Sequence, residues 1–256
     1  MNRSLHAIIE SNTEHGLFVW LRENNVIAQE IAENIARVRA TIARAAERGG
    51  RATDEITLVA VSKTKPIELL QMAYQQGITH FGENRVQEAL AKIEILHPAG
   101  VSWHMIGHLQ TNKSAKVVGA FALVHSVDSL HLAQALNRHA EAHGLRQAIL
   151  LQVNVVGEAS KEGMTPEETP SLARQIASLP HLEIHGLMTI APLVQNPEEV
   201  RPVFRGLRLL RDQLRDALPD IHWSQLSMGM TDDYAIAIEE GATIVRVGRA
   251  IFGARP

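Results

Sequence analysis

The sequence predicts an α/β fold, a single (β/α)8 TIM barrel, and three observations carry that prediction. Strand-like and helix-like segments alternate from residue 27 onward, and about eight strand candidates fall within the alternation. The length of 256 residues suits a fold that typically takes about 250. A doubly wound open sheet is the competing arrangement, but no glycine-rich dinucleotide fingerprint follows any early strand.

The first element of the pattern is a helix over residues 27–48. Its apolar positions Ile27, Ile31, Ile35, Val38, Ile42 and Ala45 recur every three or four residues, and Gly49-Gly50 closes it. Residues 1–26 share none of this pattern. They are expected to form an N-terminal extension, flexible or packed as an extra helix outside a barrel of residues 27–256. Strands are expected at 56–63, 80–84, 102–107, 122–128, 147–155, 182–190, 222–229 and 244–249. Two of the intervening helices announce their starts: Thr165-Pro-Glu-Glu168 and Asn196-Pro-Glu-Glu199 each offer a cap, a first-turn proline and an acid at the third position. After the second, Val200, Val203, Phe204, Leu207, Leu210 and Leu214 share one helical face that should pack on the sheet. Gly77, Gly144 and Gly241 stand where helices should stop.

Composition narrows the function classes. Apolar residues make up 45% and charged residues 21% of the chain, as in an ordinary globular protein. The net charge of −3 gives no overall reason to expect nucleic acid or an acidic membrane as partner. Without cysteine, disulfides and thiolate metal sites are excluded, and a cytoplasmic location is the simplest expectation. The apolar stretch at residues 16–21 is too short to span a bilayer and lacks the flanks of a signal peptide.

In such a barrel the carboxyl ends of the strands form the functional face. Here they present Lys63, Glu83 with Asn84, His104 with Gly107, Asp128, Asn154, Thr189, Ser227, and Arg246 with Arg249. Many polar strand ends merely serve the following turn. Lys63 has two readings, a solvated surface charge or a reactive amine whose pKa is lowered by partial desolvation. The loops after strands seven and eight are the usual phosphate site of this fold, and Ser227, Gly229, Gly248 and Arg249 fall there. The two glycines could equally serve tight turns. A phosphate beside an amine suggests pyridoxal phosphate, with Lys63 forming the imine and Arg246 facing the pyridine nitrogen, where it would weaken the cofactor as an electron sink.

The segments Ala60-Val-Ser-Lys-Thr-Lys-Pro66, His80-Phe-Gly-Glu-Asn84 with Val86-Gln-Glu88, Trp103-His-Met-Ile-Gly-His-Leu-Gln110, Leu226-Ser-Met-Gly-Met230 and Val245-Arg-Val-Gly-Arg-Ala-Ile-Phe-Gly253 closely resemble the pyridoxal phosphate homeostasis proteins. The resemblance covers about residues 27 to 256. It implies a barrel of the alanine racemase N-terminal domain type that binds pyridoxal 5'-phosphate as an aldimine on Lys63. Arg246 is then the partner of the pyridine nitrogen, Ser227, Gly248 and Arg249 are phosphate contacts, and Asn84 neighbours the ring. Lys161 resembles a family lysine of secondary role, although a solvated loop lysine is the plainer reading.

The implied role is intracellular cofactor and amino-acid homeostasis without established catalysis, with cofactor-requiring apoenzymes as recipients. Related racemases take a catalytic tyrosine from a second domain. This chain is expected to stop after the barrel, and Tyr74 and Tyr234 both fall in helices. A low-activity racemase and a cofactor-free Schiff-base aldolase are the alternatives. No metal site is expected, because Gly107 and the strand pattern spoil a helical His104/His108 pair. Asp232-Asp233 reads as a helix start. The 13 histidines look scattered, mostly flanking helices, and are assigned no function. No long exposed apolar stripe asks for a partner, so a monomer is expected.

Overall fold

The computed structural model describes the backbone of residues 3–158 and 162–254, and the side chains of 25–158 and 162–254. Eight parallel strands close into a barrel in sequence order. They are β1 (Thr57–Val61), β2 (His80–Glu83), β3 (Ser102–Met105), β4 (Leu123–Val127), β5 (Gln147–Gln152), β6 (Leu182–Met188), β7 (Gln225–Ser227) and β8 (Ile244–Val247). Closure is made by β8 on β1, in a register running from Thr57 opposite Ile244 to Ala60 opposite Val247. Every predicted strand is present but ends earlier than expected. Ladder pairing stops where the chains splay into the mouth loops, so Lys63, Asn84 and Gly248 stand just beyond it.

Alternation along the strands sorts side chains into two layers. Val59, Leu123, Leu150, Met188 and Ile244 meet inside the barrel as a small core of their own. The opposite strand faces, including Ala60, Phe81, Trp103, Val124, Leu151, Leu187, Leu226 and Val245, pack outward against the helices.

The helices are α1 (Arg3–Arg48), α2 (Ile67–Gln75), α3 (Val86–Ile95), α4 (Leu130–Ala142), α5 (Thr169–Ala177), α6 (Arg201–Ala217), α7 (Tyr234–Glu239) and α8 (Arg249–Phe252). Between β3 and β4 a short 3-10 turn, Thr111–Lys116, stands in for a helix. In α6 the predicted stripe is buried at Phe204, Leu207, Leu210 and Leu214, each worth about 1.5–3 kcal/mol of apolar transfer. The Asn196 cap accepts from the Glu198 amide at 3.1 Å and opens the 3-10 turn that feeds α6.

α8 is a single turn, too short to cover the seam between β8 and β1. α1 does that work. Its stripe of Ile31, Ile35, Val38, Ile42 and Ala45 is buried, and it packs against α2, α7 and α8. Asn34 donates to the Ile251 carbonyl at 3.0 Å, and just past the helix Arg51 donates to the Ala242 carbonyl at 2.6 Å. α1 runs unbroken across residue 26, the expected edge of the extension; Val26 is 61% exposed and burial begins at Ile31. α6 and α7 are joined by the Glu240 carboxylate, which takes Arg201, Arg205 and Arg208. No helix among the described residues is long and apolar enough to cross a membrane.

Candidate functional site

Lys63 and Asn84 follow β1 and β2, Ser227 ends β7, Gly229 lies two residues on, Arg246 is in β8, and Gly248 with Arg249 opens α8. In the closed barrel β7, β8, β1 and β2 are consecutive neighbours, so all seven sequence candidates share one arc of the mouth. The Arg246 amide donates to the Gly229 carbonyl at 3.0 Å, tying the β7 loop to β8. Gly229 is required twice over: φ is +91°, and a Cβ there would sit 2.6 Å from the Ala237 methyl. At Gly248 a Cβ would stand 3.2 Å from the Val61 carbonyl oxygen, two residues before Lys63.

The turn that carries Lys63 is held from below by a buried polar cluster. Ser62 accepts at its carbonyl from the Lys65 amide at 3.0 Å and from Lys92 Nζ at 2.7 Å, and its hydroxyl donates to Glu83 at 2.6 Å. Lys92 also pairs with Glu83 and Glu88, both at 2.7 Å. Glu88 in turn accepts from the amide of Thr64, a non-glycine residue held at φ +63°. Two carboxylates on one ammonium are pushed in opposite directions. Burial raises Glu83, whose second oxygen has no partner, beyond what Lys92 and Ser62 recover. At the partly exposed Glu88 burial also raises, but the bonds from Lys92 and Thr64 outweigh it and the net shift is down.

Lys65 is committed elsewhere. Its ammonium donates to the carbonyls of Phe252 and Ala254 at 3.0 and 2.8 Å, capping α8. Of the two lysines in Ser-Lys-Thr-Lys, only half-buried Lys63 belongs to the candidate site.

Behind the mouth, the lumen is polar on one side. Arg246, 4% exposed, donates to Ser227 Oγ at 2.5 Å and to the Thr189 carbonyl at 2.9 Å. Burial draws its pKa down to about 10, opposed by the Asp233 carboxylate, so it stays charged at neutral pH. Ser227 Oγ also meets His125 Nδ1 at 2.8 Å. His125 Nε2 meets His104 Nδ1 at 2.9 Å, and His104 Nε2 meets His80 Nδ1 at 2.9 Å. Burial, then His80, push His104 down to about 3; burial, then His104 and Arg246, hold His125 well below the ordinary range; burial lowers His80. All three rings are neutral at pH 7.

The histidines were expected to be scattered and mostly beside helices; these three instead lie in strands that bring them into one line. Their signal was strand parity: His80 with Gly82 and Asn84, His104 with Ile106, and Leu123 with His125 each lie on one face of a strand. His108 does not join the line of His104. It faces Asp128 and Glu162, and the three offer ligand atoms within 4.8 Å of one another. Arg249 turns its guanidinium to Asp232 at the surface, so its side chain does not join the buried cluster. Asp233 is the cap residue of α7, in keeping with a helix start. Lys161 lies outside the described residues.

Asn84 borders a cavity of 280 Å³ with Ile106, Gly107, His108, Gln152 and Ile190, and its side-chain oxygen is buried without a partner. An orphaned acceptor beside a cavity marks a place where a ligand donor or water completes the bonding. Together these features define a closed barrel whose mouth gathers a lysine, a serine and a buried arginine on one arc.

Comparison with known proteins places this barrel in a family. The profile of the alanine racemase N-terminal domain matches residues 28–256. The pyridoxal phosphate homeostasis protein of Aquifex aeolicus is 44% identical over 223 residues, 87% of this chain and 97% of that protein. Its namesake from Pseudomonas aeruginosa is 45% identical over 225 residues, 88% and 96% of the two chains. The structure of PipY from Synechococcus elongatus with pyridoxal phosphate bound superimposes with a TM-score of 0.78 at 38% identity, covering 87% of this chain and all of that one. Alanine racemase of Clostridium difficile shares the fold at 15% identity and a TM-score of 0.69 over 57% of its length. The chain belongs to the alanine racemase N-terminal domain family and, within it, to the pyridoxal phosphate homeostasis proteins.

Proposed function

We propose that this protein binds pyridoxal 5'-phosphate at the barrel mouth and serves intracellular cofactor and amino-acid homeostasis. The observation that carries the reading is the gathering of Lys63, Asn84, Ser227, Gly229, Arg246, Gly248 and Arg249 on the adjacent strand ends β7, β8, β1 and β2. Lys63 would hold the cofactor at its aldehyde carbon, as an imine formed with loss of water. Ser227 and the backbone at Gly229, Gly248 and Arg249 receive the phosphate, Arg246 faces the ring nitrogen, and Asn84 completes its bonding beside the ring. When bound, the cofactor supplies an electrophilic carbon and an electron-withdrawing ring; a positively charged arginine at the ring nitrogen keeps that nitrogen from protonating and mutes the withdrawal.

The chain's own residues favour holding over turnover. Racemization needs two opposed acid/base groups. The sequence has two tyrosines, Tyr74 in α2 and Tyr234 in α7, the latter only 8% exposed. The protein acts in the cytoplasm as a monomer and passes the cofactor to apoenzymes that require it. The test is the visible spectrum of the purified protein, before and after borohydride, with peptide mass mapping. A yellow protein with its reduced adduct on Lys63 supports the reading. A colourless protein that takes up no pyridoxal phosphate overturns it, and sustained turnover of an amino acid would favour the racemase.

A further inference from the structure

The lumen of the barrel holds an unbroken line of exchangeable groups. It runs from Ser227 on β7 through His125 on β4 and His104 on β3 to His80 on β2, with contacts of 2.8, 2.9 and 2.9 Å. Neutral imidazole has one donor and one acceptor nitrogen, so three rings joined head to tail cannot choose their tautomers independently. With Ser227 donating into the line, each ring carries its proton on Nε2 and accepts at Nδ1. With the line donating to Ser227, each carries it on Nδ1, and His80 Nε2 becomes a bare acceptor at the other end. His80 is only half-buried and borders a separate cavity of 370 Å³ at the opposite end of β1 and β2, with Arg39, Ile56, Thr57 and Gly77. The inner rings are sealed: His104 is 5% and His125 0% exposed.

Ser227 makes the two states unequal toward an anion. Its oxygen already accepts from Arg246. If its single proton goes to His125, it has none to offer a ligand. To donate to an anion it must accept from His125 as well, and that selects the Nδ1–H state of all three rings.

We propose that His125, His104 and His80 are a one-proton relay, set by anion binding at Ser227 and read out at His80 on the far face of the barrel. The line itself stands on the geometry, whereas its setting by a phosphate ester rests on the function proposed above. The balance is one proton in and one out. A phosphate monoester arriving with a proton, whose second pKa is about 6, gives that proton to Ser227 Oγ, and the original hydroxyl proton passes to His125 Nδ1. The Nε2 proton of His125 passes to His104 Nδ1, that of His104 to His80 Nδ1, and that of His80 to solvent. No bond between heavy atoms is made or broken. The charged groups nearest the ends are Arg246, offset by Asp233, beside Ser227, and Arg39 beside the His80 cavity.

The experiment is long-range proton–nitrogen NMR of the histidine rings in the full chain labelled with nitrogen-15. In the ligand-free protein at neutral pH the three rings are expected to share one tautomer. Adding inorganic phosphate, then pyridoxal phosphate, should move all three to Nδ1–H together. In His104→Phe, His80 should no longer respond. Should no phosphate compound bind, the functional reading fails, and acid titration of the ligand-free protein decides the relay. Protonating His80 must then place Nδ1–H on His104 and His125 in the wild type. Mixed tautomers in the wild type, or a His80 response that survives His104→Phe, overturn the proposal. The wild-type measurement stands even if the variant does not fold.

Discussion

Lys65 and Phe252 are joined by an ammonium-to-carbonyl hydrogen bond of 3.0 Å, which pins the turn after β1 to the end of α8. Two lysines two residues apart thus have separate duties. Lys63→Ala is expected to abolish the borohydride-stable adduct. Lys65→Ala should keep the adduct but cost about 1–3 kcal/mol, because charge-assisted bonds to two carbonyls are lost. Thermal unfolding alongside adduct mapping separates the two; an adduct lost in Lys65→Ala and kept in Lys63→Ala would reverse the assignment.

Lys92 neutralises a carboxylate that is otherwise sealed off. In Lys92→Met, Glu83 is left charged and unpaired, at a cost of about 3–5 kcal/mol. Glu83 already has a raised pKa, and removing Lys92 raises it further. The folded variant then binds a proton more tightly than the unfolded chain, so its stability should climb as pH falls from above the folded value towards the unfolded one. Denaturant melts of the variant across that window check the sign. A melt that weakens steadily on acidification would show that Glu83 is not the group at fault.

Arg246 makes a fork between Ser227 and the Thr189 carbonyl that a lysine cannot reproduce. Arg246→Lys should weaken pyridoxal phosphate retention by about tenfold or more, the worth of one hydrogen bond to a charged group. Equilibrium dialysis reads this directly. Unchanged retention would remove Arg246 from the site.

Glu240 is the acid to which Arg201, Arg205 and Arg208 converge, and the bond from Arg205, with help from Arg201 and against burial, lowers its pKa. A carboxyl with a depressed folded pKa lends stability above its unfolded pKa and loses it as pH falls through the folded one. Glu240→Gln should therefore cost about 1–3 kcal/mol at neutral pH and progressively less in acid. Equal losses at both pH values would mean the effect is packing rather than charge.

The eight strands were legible because each is a short apolar run between turn signals, and the mouth residues because they stand where those runs end. The support beneath them was not. Ser62, Glu83 and Lys92 meet across β1, β2 and α3, and only the Glu88–Lys92 spacing of four is visible along the chain. The histidine line needs the registers of β2, β3 and β4 before three separate strand positions become neighbours. The role of α1 was hidden for another reason: its apolar stripe announces a helix, but nothing local says that α8 will be one turn long and leave a seam to cover.

That seam has a consequence for how the protein is made. β1 emerges early in synthesis yet finds β8 only near the end, and Arg51 waits for Ala242, 191 residues away. Contacts of such separation are slow to form and leave an unpaired strand edge exposed on the nascent chain. Lys63 and Arg246 come together only when that last pairing is made. On the function proposed above, a growing polypeptide therefore cannot hold the cofactor before its barrel is whole, and capture of the ligand marks a finished molecule.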